Sequence, residues 1–231
     1  MVAASFTDEQ VRVIDFRIGP STTQDIGNAT MQLEHSDLIK KVQLSPDGTL
    51  LVTTGQDGTV KLWDLGLRRC VQTIGPELTG QARKTSSFHQ DSITCLDVNF
   101  EEDLFFTGGR DGSIFMSSSG TTKTAPYQRM YQSSQMITCL KYDDRHGKLW
   151  YGTPQSGLDC LQLAVDSASP HMYIKGKTNL AHSLKKGLPW ITDYHVLRNK
   201  MYILTNQVDG KNADVKLWSI ESGEVIKTYP S

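Results

Sequence analysis

TTGQDGTVKLWDL, residues 53–65, reads as the end of one strand, a tight polar turn, and a second strand closing on an indole and a carboxylate. Asp57-Gly58 is the turn signal: glycine adopts positive φ without steric cost, and an aspartate side chain can accept from backbone two residues on. On either side, β-branched and apolar residues suit a half-buried pleated surface. Trp63 therefore falls on a strand, where a buried indole brings a large apolar body and an N–H that needs an acceptor.

Working outward, the chain reads His35, strand-like IKKVQLS, a turn at Pro46–Gly48, strand-like LLVTTG, Asp57-Gly58, strand-like TVKLWDL, then RCVQTI. The same grammar returns as His89, SITCLDVNF, a polar EED, LFFTGG, Asp111-Gly112 and SIFM. A weaker copy runs MITCLKY, KLWYGT, Ser156-Gly157, LDCLQL; another runs ITDYHVL, KMYILTN, a loop VDGKNA, DVKLWSI and EVIKTY. Residues 2–18 supply a partial copy in which Asp8 aligns with Asp57. By this alignment the positions equivalent to Trp63 are Ile14, Ser117, Gln162 and Trp218. A repeat of about 40–45 residues built from four short strands is the signature of a radial array of sheets.

The expected fold class is all-β, a partial propeller of about four to five four-stranded blades in one domain over residues 1–231, with blades at 1–33 (partial), 34–75, 88–120, 135–165 and 190–230. An open arc exposes strand edges, so the segment is expected to be part of a longer chain, with a closed five-bladed ring as the other reading. GPSTTQDIGN, GPELTGQARKTSS, SSSGTTKTAPYQRMYQSS and DSASPHMYIKGKTNLAHSLKKG, rich in Gly, Ser, Thr and Pro, are expected to be surface loops. No stretch has a helical period.

Composition bounds the function. In 231 residues with 38% hydrophobic content and a formal net charge of −1, nothing demands nucleic acid or an anionic membrane as partner. No apolar run approaches the ~20 residues of a membrane span, and MVAASFTDEQ lacks the basic and apolar regions of a signal peptide, so an intracellular location, cytoplasm or nucleus, is expected. Cys70, Cys95, Cys139 and Cys160 lie far apart and form no metal-ligand spacing, which makes them reduced, partly buried thiols.

The set His35, Thr53, Asp57 and Trp63 resembles the WD40 repeat, which implies a hydrogen-bonded chain from turn carboxylate to imidazole to hydroxyl to indole. A second repeat keeps His89, Thr107 and Asp111 but has Ser117 in place of the indole, and the last keeps Thr205 and Trp218. The third keeps almost none of the set, so its blade is expected to rely on apolar packing. More closely, the runs DGTVKLWDLGLRRCVQTI, TGGRDGSIF, HVLRNKMYILTN and DVKLWSI resemble, in order, the C-terminal half of the propeller in the WD repeat-containing protein 48 family, non-catalytic activators of ubiquitin-specific proteases. That resemblance implies a scaffold for deubiquitination that shifts a protease partner toward its active form. It also implies a partner-binding rim containing Lys40 and Arg110, with Thr94 where the family has an aromatic residue.

Catalysis by the chain itself is not expected. His146, His171, His182 and His195 have no nucleophile or carboxylate pattern around them, and Gly108-Gly109 follows a strand but precedes no helix, so no phosphate loop, cofactor or metal is implied. Two rival binding roles remain. Ile14-Asp15-Phe16-Arg17 resembles the short box by which WD40 substrate receptors dock to cullin-type ubiquitin ligases. A generic protein- or RNA-binding propeller would use basic loops at Gln81–Lys84 and Ser183–Gly187, with Tyr127 or Tyr131 as stacking platforms.

Overall fold

The computed structural model describes residues 2–5, 10–14, 30–75, 88–119, 127–154, 157–166, 169–179, 190–196, 202–209, 212–219 and 224–230. Their strands fall into five antiparallel meanders. The first sheet holds β1 (Val2–Ser5), β2 (Gln10–Ile14) and β3 (Thr30–Glu34). Four-stranded sheets follow: β4 (Ile39–Leu44), β5 (Leu50–Gly55), β6 (Val60–Asp64) and β7 (Arg69–Ile74); then β8 (Ile93–Asn99), β9 (Leu104–Gly109), β10 (Ser113–Ser117) and β11 (Tyr127–Gln132). The fourth contains β12 (Cys139–Asp143), β13 (Lys148–Thr153), β14 (Gly157–Asp166) and β15 (Ser169–Asn179). The fifth contains β16 (Trp190–Val196), β17 (Tyr202–Asp209), β18 (Asn212–Ser219) and β19 (Val225–Pro230).

The sheets stack in chain order. First strands lie side by side (β4 with β8, β8 with β12, β12 with β16), and the second strand of a sheet packs on the first strand of the next (β5 on β8, β9 on β12, β13 on β16), a pattern that β1 on β4 extends to the first sheet. This is the radial arrangement of a partial β-propeller. Alternation along a strand sends successive side chains to opposite faces, and here both faces are covered, so the second strands β5, β9 and β13 are buried almost throughout. In the second sheet Leu51 and Trp63 join Val13 and Ile39 in a core against the first sheet, while Val52 and Leu62 join Ile93 and Phe105 in a core against the third. The third sheet repeats this, with Phe106 and Ile114 packed with Leu149 and Leu161 of the fourth.

Polar links cross the same seams. The Gln43 amide pairs with the Val98 backbone, its Nε2 donating to Val98 O (3.1 Å) and its Oε1 accepting from Val98 N (3.1 Å). One sheet on, Asp97, at the register position of Gln43, accepts from Lys141 Nζ (2.5 Å) and Tyr142 N (2.8 Å). Each link satisfies backbone or charge that the seam would otherwise bury unpaired.

Some sequence expectations are corrected here. The stretches containing YQRMYQ and SPHMYIKGKTN, read as loops, form β11 and β15. Their Ser, Thr and Gly content hid strands that are templated by pairing to β10 and β14, a tertiary effect that outweighs local propensity. The alignment of Gln162 with Trp63 is also off by one. Gly152 pairs with Leu158 as Thr54 does with Val60, and Leu149 pairs with Leu161 as Leu51 does with Trp63. Gly157 is the first residue of a strand, and Leu161 holds the Trp63 position.

Candidate functional site

The turn after β5 gathers residues from across the second sheet. Trp63 Nε1 donates to Thr53 Oγ1 (2.9 Å), Thr53 Oγ1 lies 2.6 Å from His35 Nε2, and His35 Nδ1 lies 3.1 Å from Asp57 Oδ2. One tautomer satisfies every group: the indole donates to the hydroxyl, the hydroxyl to Nε2, and Nδ1–H to the carboxylate. Asp57 also accepts from Thr59 N (2.9 Å), Thr59 Oγ1 (2.7 Å) and Ser36 Oγ (3.0 Å). His35, Thr53, Asp57 and Trp63 are all buried.

In the third sheet His89 Nε2 lies 2.9 Å from Thr107 Oγ1, and Nδ1 is shared between Ser113 Oγ (2.8 Å) and Asp111 Oδ1 (3.3 Å). Ser117, where the indole would stand, does not reach the hydroxyl; its Oγ donates to Phe105 O at 3.5 Å. An aromatic cluster fills the space instead. Phe88 packs 4.8 Å from each of His89, Phe115 and Tyr127, and Phe115 meets the His89 ring edge-on at 4.8 Å. In the last sheet Thr205 stands opposite Lys216, as Thr53 does opposite Lys61, and Trp218 is buried opposite Ile203.

The fourth sheet carries a different polar network, which the sequence reading missed. Tyr151 occupies the register position of Thr53; its hydroxyl donates to Asp159 Oδ2 at 3.0 Å. Lys177 Nζ lies 3.0 Å from the same carboxylate oxygen and donates to Tyr131 OH of the neighbouring sheet at 3.0 Å. Burial, with Tyr131 and Asp159 nearby, pushes the Tyr151 phenol far up, so it stays a donor. The available signal was an aspartate inside an apolar strand, LDCLQL, since a buried carboxylate demands partners.

These networks make stability acid-sensitive. Burial pushes the Asp57 and Asp111 carboxyls up, but hydrogen bonds from His35, His89, Thr59 and Ser113 more than offset it, leaving both well below the ordinary 3.8. Burial lowers His89 from its ordinary 6.5 despite the pull of Asp111, so the folded form holds it neutral at pH 7. For all three groups the unfolded chain takes up protons first as pH falls, so stability drops with acidity. Unfolding midpoints of the full-length protein are expected to decline below pH 6.5 and again below pH 3.8, the upper step disappearing in His89→Gln. A midpoint flat from pH 7 to 5 would contradict this.

The proposed rim residues separate. Lys40 is exposed, and Arg110 is exposed beside Asp91, with Nε 4.0 Å from Oδ2. Thr94 is partly buried, and its hydroxyl proton is shared between Gly108 O (3.0 Å) and Ile137 O, in the segment leading into the next sheet. Lys40 and Thr94 both sit at β-bulges, where the register shifts between Ile39 and Lys41 and between Ile93 and Cys95. A bulge re-aims its residue, outward at Lys40 and onto backbone acceptors at Thr94.

Burial pushes the Cys95 and Cys160 thiols up to about 12, which leaves no thiolate for nucleophilic work near neutrality. His146 Nδ1 is held by Asp143 Oδ2 at 2.6 Å. Among the described residues no cluster of His, Cys, Asp and Glu is arranged for a metal, and no helix is long and apolar enough to cross a membrane. Tyr127 and Tyr131 are engaged in the contacts above and not displayed as stacking platforms. Asp15–Arg17, both basic loops, His182 and the side chains of His171, His195 and Thr205 lie outside the described residues.

The family model described as WD domain, G-beta repeat matches residues 27–64 and 80–116. The chain thus carries WD40 repeats, and its stacked sheets are of the WD40 β-propeller type. Among curated proteins it is similar to the ribosome biogenesis protein BOP1 homolog of Aedes aegypti, 45% identical over 221 residues covering 85% of this chain and 24% of that protein. It is also similar to the ribosome biogenesis protein ytm1 of Botryotinia fuckeliana, 24% identical over 139 residues covering 54% of the chain and 28% of that protein. A third relative is the target of rapamycin complex 1 subunit mip1 of Schizosaccharomyces pombe, 25% identical over 153 residues covering 63% of the chain and 10% of that protein. The chain spans about a quarter of the length of the ribosome-biogenesis relatives. These findings overturn the expectation of a ubiquitin-specific protease activator and of a role in deubiquitination. The narrower resemblance to the WD repeat-containing protein 48 family is not supported either, because the repeat grammar that its short runs share is common to many propellers.

Proposed function

We propose that this chain is part of a non-catalytic WD40 scaffold that joins proteins during ribosome biogenesis. The observation that carries this reading is the 45% identity over 221 residues to a BOP1 homolog, with the ytm1 match in support. The side-chain chemistry agrees with it. His35, His89, Thr53, Thr107 and Asp57 are engaged in bonds within their own repeats, which makes a stiff platform, and a preorganised surface loses little entropy on binding. Exposed Lys40 and Arg110 are available to an acidic surface of a partner, whereas the inward bonds of Thr94 make it structural. Such a role places the protein inside the cell, in the cytoplasm or nucleus.

Depletion of the full-length protein is expected to cause precursor ribosomal RNA to accumulate at the expense of mature species, and the tagged protein should co-sediment with pre-ribosomal particles. Normal ribosomal RNA maturation after depletion would overturn the assignment.

A further inference from the structure

At the end of the sheets away from Asp57 and Asp111, the turns joining first to second strands enclose a groove of about 310 Å³. Three consecutive sheets contribute: Leu44 and Pro46 from the second, Val98 and Phe100 from the third, Tyr142 from the fourth. The Tyr142 ring is held by Phe106, 4.7 Å between centroids. Glu101 and Asp144 stand at the lip, both exposed, and with Asp97 they set three carboxylates against the single ammonium of Lys141, which is already bonded to Asp97. Burial, and after it the nearby Glu102, Asp144 and Asp143, push the Tyr142 phenol up to about 12.

The β14–β15 hairpin turns at the same end. It is tied to the adjacent turn by Leu163 N donating to Gly147 O (2.7 Å) and Gln162 Nε2 donating to His146 O (2.8 Å). Its strands, of 10 and 11 residues, outrun the 5 and 6 of their partners β12 and β13. On the projecting part Val165 is 62% and Tyr173 48% exposed, an apolar surface on the hairpin tied to the turn that carries Asp144.

We infer that this end of the propeller docks an extended basic segment of a partner protein, with an arginine seated in the groove between Glu101 and Asp144 and apolar neighbours resting on Val165 and Tyr173. Arginine fits better than lysine because its planar fork can bond both carboxylates while its flat face lies on Phe100 or Tyr142. The same carboxylates repel a phosphate backbone, so the partner is protein and not nucleic acid.

The test uses the full-length protein and a set of short fluorescent peptides, each with a central arginine between valine and tyrosine, alongside matched peptides carrying neutral citrulline. Saturable binding of arginine peptides is expected, weakened about tenfold by Glu101→Gln with Asp144→Asn, a loss of ~1.4 kcal/mol. It should also weaken in Val165→Ser with Tyr173→Ser, and stay unchanged in Glu224→Gln, which removes a carboxylate elsewhere. No saturable binding by any arginine peptide, equal affinity for citrulline, full affinity in the double carboxylate variant, or competition by single-stranded RNA would each overturn the docking site. Failure here would leave the role in ribosome biogenesis standing, and the reverse also holds.

Discussion

Replacing Trp63 with alanine is expected to lower the stability of the full-length protein by about 3–5 kcal/mol, read as a shift in the urea midpoint. Two losses combine. The indole lies with Val13, Ile39 and Leu51 in the core between the first two sheets, so its removal opens a cavity at a seam. It also donates the bond that ends at Thr53, whose hydroxyl continues the chain to His35 and Asp57. Trp63→Phe separates them: most of the packing stays, the donor goes, and the cost should fall to about 1–2 kcal/mol. Equal midpoints for the two variants would mean that the hydrogen bond, and not the packing, dominates. The third sheet predicts the direction of adaptation, because there the missing indole is accompanied by the Phe88, Phe115 and Tyr127 cluster.

Gly112→Ala should cost about 3 kcal/mol or more, while the equivalent Gly58→Ala should cost about 1–2 kcal/mol. Both glycines occupy the left-handed region, at φ 77° and 76°, so the conformational penalty is shared. Their neighbours differ. A Cβ on Gly58 would meet Asp91 O and His89 O at 3.4 Å, an ordinary contact. On Gly112 it would overlap the Ser133 carbonyl oxygen and stand 2.8 Å from Gln135 O. That backbone leads into the fourth sheet and is pinned by Ser133 N donating to Gly112 O (2.8 Å), so relief requires moving the whole seam. Hydrogen exchange should accordingly quicken in β12 for Gly112→Ala and stay near wild type for Gly58→Ala. Matching exchange in the two variants would show that the third and fourth sheets are not locked through this turn.

Local chemistry made much of this legible. Asp-Gly turns and alternating strands are properties of a few consecutive residues, so the sheets around Thr53 and Thr107 could be read directly. Their histidines were found because the repeat spacing is the same: His35 precedes Asp57 by 22 residues and His89 precedes Asp111 by 22. The fourth sheet yielded less. Tyr151 and Asp159 look unremarkable until Lys177 and Tyr131 arrive from an outer strand and from a neighbouring sheet. Position on the rim was equally opaque, since Lys40 and Thr94 hold the same bulge yet one faces solvent and the other bonds Gly108 and Ile137.

Strand grammar, turn positions and the polar set of the best-preserved repeat came from sequence alone, because each depends on contacts within one sheet and on residue types with few conformational alternatives. The bonds of Gln43 to Val98 and of Asp97 to Lys141, the strands hidden at Tyr127–Gln132 and Ser169–Asn179, and the acidic groove between three sheets were decided only by tertiary structure. They arise where one sheet sets the surroundings of the next, and the packing of apolar faces, not the order of residues along a strand, determines which polar groups meet there.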